Sequence, residues 1–427
     1  MLLYSIGAIY AVVFWVLGYR NPRIPLLLIF ATAPIQNDIS GGGPLRFSIT
    51  EINILLTVPL LLLRKRRALT LGPLTWGIVL FLLVSLGCSL VNWRPTTLIC
   101  LVQMVLYLVV AVLVFYALPR DERDYRVALD GLIVMGVALG ASVLIKRSGY
   151  VWNLNKNGAG SSLAAALIVC TEMWFAAAGM RKRLLSGALI IIAGGLFFTL
   201  SRGAWLGSLV GVAILIAMRG QFRLLFKMML VLVPLVALCW SYLPQTSRDY
   251  ATGFDSGEHF NIQMRYKSVD YAKNLFLSSP IIGCGVGLRK EYDATNLVLC
   301  TLAETGVVGL LALILLHINI LNVTWKTQKN LRRNSLLYSG VALGGALVFS
   351  RLLHGMVDHY WGRGSNTCVW SAVGMALYGY YAKRRYRLLA RREAMERARS
   401  LEAAIEEPVE GTGVVPVLLP RQEQAAY

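Results

Sequence analysis

Residues 265–309 read RYKSVDYAKNLFLSSPIIGCGVGLRKEYDATNLVLCTLAETGVVG. A polar segment opens with Arg265, is broken at Pro280, turns through Gly283, Gly285 and Gly287, and then runs into an apolar helix. That apolar run extends over 295–318, long enough to cross a hydrocarbon core, which takes about 20 residues. Residues 264–279 repeat apolar side chains at helical spacing (Met264, Val269, Ala272, Leu275, Phe276), which predicts an amphipathic helix beside the membrane surface. Pro280 stops it, and the three glycines permit tight backbone turns.

Outward from this stretch, apolar runs recur near 3–19, 24–37, 48–63, 72–91, 97–118, 127–145, 160–180, 184–200, 204–218, 224–243, 335–353 and 365–382. The second is short and carries Pro25 and Pro34, so it reads as broken or re-entrant. The chain is 56% hydrophobic and only 15% charged, a balance that excludes an ordinary soluble domain. The expectation is an all-α, polytopic membrane helix bundle of about 12–13 spans with one large loop at 244–294. Residues 1–382 form the bundle, and 383–427 a charged helix followed by a disordered tail.

The net charge of +20 sits in short runs between spans, such as 64–67, 181–183 and 326–333. Loops on one side, with the C-terminal tail, hold 28 of the 42 Lys and Arg. By the positive-inside rule that side is cytoplasmic, which places the C-terminus inside and 244–294 outside. Basic patches interleaved with aromatics are absent, so nucleic acid is excluded as a partner. The bilayer itself is the partner that composition implies. The seven cysteines lie mostly in apolar runs without a CxxC pair and read as small buried hydrophobes. The apolar N-terminus lacks a basic flank and a cleavage site, and reads as a first span.

Arg202 lies in the run FTLSRGAW at 198–205, between two closely spaced spans. It reads either as an interfacial arginine reaching headgroups or as a cation that binds phosphate at a cavity mouth. Arg265 by itself reads as part of a solvated helix face. The run WNLNKNGAGSS at 152–162 reads equally as a well-capped turn or as a glycan or phosphate contact. The IIGCGVG turn has no preceding strand and is not a dinucleotide fingerprint. Its expected task is to pack the loop onto the bundle.

The order SRGAW, Arg265, Pro280, the glycine turn, then Asn296 followed by Gly306 and Gly309, resembles the O-antigen ligase and polymerase family of bacterial membrane glycosyltransferases. The resemblance covers about residues 150–320. It implies transfer of a glycan from a polyprenyl-diphosphate carrier to a lipid or glycan acceptor at the periplasmic face of the inner membrane, without cofactor or metal. It implies that Arg202 and Arg265 hold the diphosphate, and that Asn157, Thr295 and Asn296 border the substrate. Where the family has a His before the polar residue, this chain has Thr295. A threonine hydroxyl is far too weak a base to replace it. His259 and Asp293 are the first candidates for that role, with Glu304 and the His354, Asp358 and His359 group of the last loop as further substitutes. A metal held by the latter three is the less favoured reading of those residues. Repeat-unit polymerisation and a non-enzymatic role, as a transporter or a degenerate member of a polysaccharide-assembly complex, stay open. A transporter calls for ionisable residues deep in several spans.

Overall fold

The computed structural model of the protein describes residues 2–36, 47–64, 67–241, 245, 260–288, 295–358, 360–361 and 364–406. Among them the only regular structure is helical, apart from one isolated bridge between Val151 and Leu154. The helices are α1 (Leu2–Arg20), α2 (Arg23–Thr32), α3 (Ile49–Arg64), α4 (Thr75–Val91), α5 (Thr97–Ala117), α6 (Arg123–Lys146), α7 (Lys156–Phe175), α8 (Gly179–Phe198), α9 (Arg202–Met218), α10 (Phe222–Ser241), α11 (Phe260–Ser278), α12 (Leu297–Gln328), α13 (Leu336–His354) and α14 (Ser365–Glu406). This is the all-α polytopic bundle expected from the apolar runs.

Six described helices are long and apolar enough to span a bilayer: α4 with its preceding turn, α5, α6, α7, α12 and α13. Three shorter apolar helices accompany them, α1 from Ser5, α2 and α9. The twelve or thirteen spans read from apolar runs thus include elements that length and composition alone do not qualify. Arg181, Lys182 and Arg183 occupy the first turns of α8, and α2 stops at Thr32 after ten residues. Helix α14 runs unbroken for 42 residues through position 383. What changes there is exposure: the helix is buried up to Tyr378 and exposed from Arg384 to Ser400.

Helix α13 is the hub. It packs on α14, α9, α7 and α12. Small residues permit these contacts. A Cβ on Gly344 would lie 2.8 Å from Ala376 Cβ and 2.9 Å from the Ala372 carbonyl oxygen. Gly203, Gly207 and Gly211 form an i, i+4, i+8 stripe on α9. Cβ atoms there would meet His354 Cδ2 at 2.7 Å, Ser350 O at 2.8 Å and Ile168 Cδ1 at 2.3 Å. Such a stripe lets two helix backbones approach closely in an apolar medium, where van der Waals packing drives association. It sets the first turn of α9 against the last turn of α13.

The glycine turn locks α11 to the bundle. Helix α12 is kinked at Gly306 (φ 61°, ψ −163°), and the chain at 280–284 inserts into the kink. The amides of Val307 and Val308 donate to the carbonyls of Pro280 and Ile281, and the Cys284 amide donates to the Ala303 carbonyl at 2.8 Å. Gly285, at φ 82°, leaves no room for a side chain, since its Cβ would fall 1.9 Å from the Asn92 carbonyl oxygen. Beyond the turn, α11 rests on the first half of α12 through Ala272, Leu288, Cys300 and Ala303, a small apolar cluster separate from the main core.

Candidate functional site

At one end of the bundle the first turns of α7, α9 and α12 meet the last turn of α13 and the flank of α11. The α8–α9 hairpin is three residues long, with Leu200 at φ 54°. Trp205 Nε1 donates to the Leu196 carbonyl at 2.9 Å and its ring stacks on Phe197 at 5.5 Å. Each residue of the SRGAW run therefore has a physical task. Ser201 precedes the helix and donates to Asn157 Oδ1 at 3.0 Å. Gly203 admits His354, Ala204 is buried against α7, and Trp205 clamps the hairpin. Arg202 is left exposed on the first turn of α9.

Lys156 opens α7, with Asn155 as its cap, accepting from the Gly158 amide at 2.7 Å. The Lys156 ammonium is partly buried. It interacts electrostatically with the guanidinium groups of Arg265 and Arg202 and with the Asp358 carboxylate. Cations contributed by α7, α9 and α11, far apart in sequence, are thus within electrostatic range of Lys156, together with one carboxylate. Lys156 lies in the 152–162 run, whose sequence fits a capped turn and a phosphate contact equally well, and it joins Arg202 and Arg265 here.

Thr295 stands at φ 47°, a left-handed backbone rarely adopted by a β-branched residue. Asn296 caps α12: its Oδ1 accepts from the Leu299 amide at 3.0 Å, and its Nδ2 donates to the Met356 carbonyl at 2.8 Å. The Leu297 amide donates to the Gly355 carbonyl at 2.7 Å. The start of α12 is therefore sewn to the turn after α13. Asn296 spends its amide on this seam.

That turn is re-entrant. Tyr360 is buried and its hydroxyl lies 3.2 Å from His317 Nε2. His317 lies inside α12, which continues past it to Gln328. Arg351, 5% exposed, donates through Nε to the Tyr360 carbonyl at 2.8 Å and to Asn366 Oδ1 at 3.4 Å. Its Nη1 lies 3.3 Å from His354 Nδ1, and His354 Nε2 lies 3.4 Å from Asp358 Oδ2.

Glu304 is buried and accepts from the Gly287 amide at 2.9 Å. It fastens the glycine turn. His259 and Asp293, the first candidates for the missing base, lie outside the described residues, as do His359 and the stretches 246–259 and 289–294 of the loop.

Among known families, residues 187–314 match the model described as O-antigen ligase. The matched stretch holds Arg202, Arg265, the glycine turn, Thr295 and Asn296. The match supports a role in surface-polysaccharide assembly of the ligase or polymerase type. No curated protein matches the chain.

Proposed function

We propose that the protein, whose residues 187–314 match the O-antigen ligase model, transfers a glycan from a polyprenyl-diphosphate carrier to an acceptor hydroxyl at the outer face of the bacterial inner membrane. The observation that carries this reading is the three-cation neighbourhood. Arg202 and Arg265 both lie within electrostatic range of Lys156. Three positive charges held close together repel one another, the Asp358 carboxylate offsets only one of them, and a diphosphate carries charge enough to offset the rest. Arginine suits the task through its planar, multi-donor fork, and lysine adds a point charge. The leaving group is then a diphosphate held in a partly desolvated, positively charged site, and this stabilises the charge that develops as the glycosidic bond breaks.

Retention of lipid-linked glycan in the cell is the measurement that tests it. Arg202→Ala and Arg265→Ala should each abolish transfer while the protein remains inserted, with lipid-linked glycan accumulating behind the block. Arg265→Lys should also be impaired, because a point charge does not reproduce the fork. Full transfer by either alanine variant would refute the proposed role. Attachment to a lipid core and joining of repeat units use the same donor chemistry. The size distribution of the glycan made by the intact protein separates them.

A further inference from the structure

We propose that a relay of three residues anchored inside the bundle, Arg351–His354–Asp358, supplies the general base that Thr295 cannot. This rests on the transfer reading above and names the group on its acceptor side. Arginine has only donors, so its contact with His354 Nδ1 at 3.3 Å makes that nitrogen the acceptor. The ring proton then resides on Nε2, which is buried, lies 3.4 Å from Asp358 Oδ2 and completes no hydrogen bond. Arg351 is itself fixed by the Tyr360 carbonyl and by Asn366. One tautomer follows, and a small shift that closes the gap from Nε2 would let the ring aim the Asp358 carboxylate.

The relay opens on the candidate site. Asp358 interacts electrostatically with Lys156, the residue that also senses Arg202 and Arg265. His354 packs against Gly203, the residue next to Arg202. The seam from Asn296 to Met356 and from Leu297 to Gly355 sets the Thr295 slot beside the turn that carries Asp358. The carboxylate therefore lies next to the position the family's His occupies in sequence. The ionisable groups that face it are Lys156, Arg351 and the neutral His354 ring, with Arg202 and Arg265 beyond Lys156.

The step balances without a co-reactant. As the acceptor oxygen bonds to the anomeric carbon, its proton passes to the Asp358 carboxylate. The carbon–oxygen bond to the diphosphate breaks, and the electron pair leaves on the diphosphate, held by Arg202, Arg265 and Lys156. Water later takes the proton from Asp358. Asp358 is the catalytic residue of this relay, and His354 is a positioning residue.

The experiment pairs transfer in the cell with binding of a short-chain polyprenyl diphosphate to the purified full-length protein in detergent. Asp358→Asn cannot accept the proton and should lose transfer by about 100-fold or more, the low end of what acid–base catalysis contributes, with probe binding kept within severalfold. His354→Ala should lose transfer too. His354→Gln should recover much of it, since a carboxamide can accept from Arg351 and donate to Asp358 but cannot itself act as a base. Transfer retained in Asp358→Asn would overturn the relay. So would a folded His354→Gln as inactive as His354→Ala, or loss of transfer in His259→Ala or Asp293→Asn with Asp358→Asn unaffected. If the unaltered protein neither binds the probe nor changes surface glycan when removed from the cell, the transfer reading itself falls and the relay with it.

Discussion

Ser201 Oγ donates to Asn157 Oδ1 at 3.0 Å, and this bond ties the helix that begins with Arg202 to the helix that begins with Lys156. Directly behind it, Gly160 allows the two helices to touch: a Cβ there would lie 2.9 Å from both Ala204 Cβ and Ser201 Cβ. The spacing of two cations is thus set by one hydrogen bond and one missing side chain. Asn157, expected from its sequence context to border the substrate, is placed to fix that spacing.

Asn157→Ala should therefore act on the donor side. Loss of one hydrogen bond of about 1 kcal/mol predicts roughly a fivefold weaker hold on polyprenyl diphosphate. Binding of that probe to the purified variant checks it. Unchanged affinity together with lost transfer would move Asn157 to the acceptor side.

The glycine turn gives a second prediction, about folding. Gly306→Ala places a Cβ 2.2 Å from the Ile281 carbonyl oxygen at a φ of 61°, and Gly285→Ala places one 1.9 Å from Asn92 O at 82°. Backbone strain alone costs about 1–3 kcal/mol, and the clashes add to it. Both variants should lose thermal stability in detergent and release α11, making 260–278 sensitive to protease. Gly187→Ala, on the open face of α8 with nothing within 4 Å, should be neutral or slightly stabilising.

A third prediction concerns the end of the bundle away from the site. Glu172 and Arg219 form a fully buried pair, with Arg219 Nε 3.0 Å from Glu172 Oε2 and its guanidinium 4.9 Å from the Phe175 ring centroid. Arg219→Ala strands a buried carboxylate and should cost about 3–5 kcal/mol. The double variant Glu172→Gln, Arg219→Met removes both charges and should recover a good part of that. Denaturation midpoints of the two proteins decide it. A double variant no better than the single one would show that the arginine's ring contacts, not the charge pair, hold this corner.

The fold class was legible because apolar run length reports directly on a bilayer. Arg202 and Arg265 were legible because their flanking residues fill a recognisable order. What could not be read was contact at a distance. Glu304 seemed a spare acid until its carboxylate was found on the Gly287 amide. The apolar run 295–318 ends at polar residues, whereas α12 continues to Gln328. Lys156 looked like a turn residue because nothing near it in sequence is charged alike. One signal was present and unread: Gly203, Gly207 and Gly211 at four-residue spacing, the stripe that brings His354 to Arg202.

Charge placement predicts the topology. A reporter fused within 250–260 should report the periplasm, and one placed after 385 the cytoplasm. The reverse would turn Lys156, Arg202 and Arg265 toward a compartment where the proposed transfer does not occur.

The empty histidine slot gives the sharpest prediction. Thr295 sits at φ 47°, and a β-branched side chain is poorly suited to that backbone, whereas His adopts it several times more readily than most residues. Thr295→His should therefore insert and fold at least as well as the parent. The slot is sewn through Asn296 and Leu297 to the turn that carries Asp358, so an imidazole there is close to where the acceptor proton must go. Thr295→His added to Asp358→Asn should restore at least a tenth of parental transfer, while added to Arg265→Ala it should restore none, because a base does not replace a cation on the diphosphate. Rescue in neither background, with both double variants folded and the first still binding polyprenyl diphosphate, would show that the slot and the carboxylate do not serve the same proton.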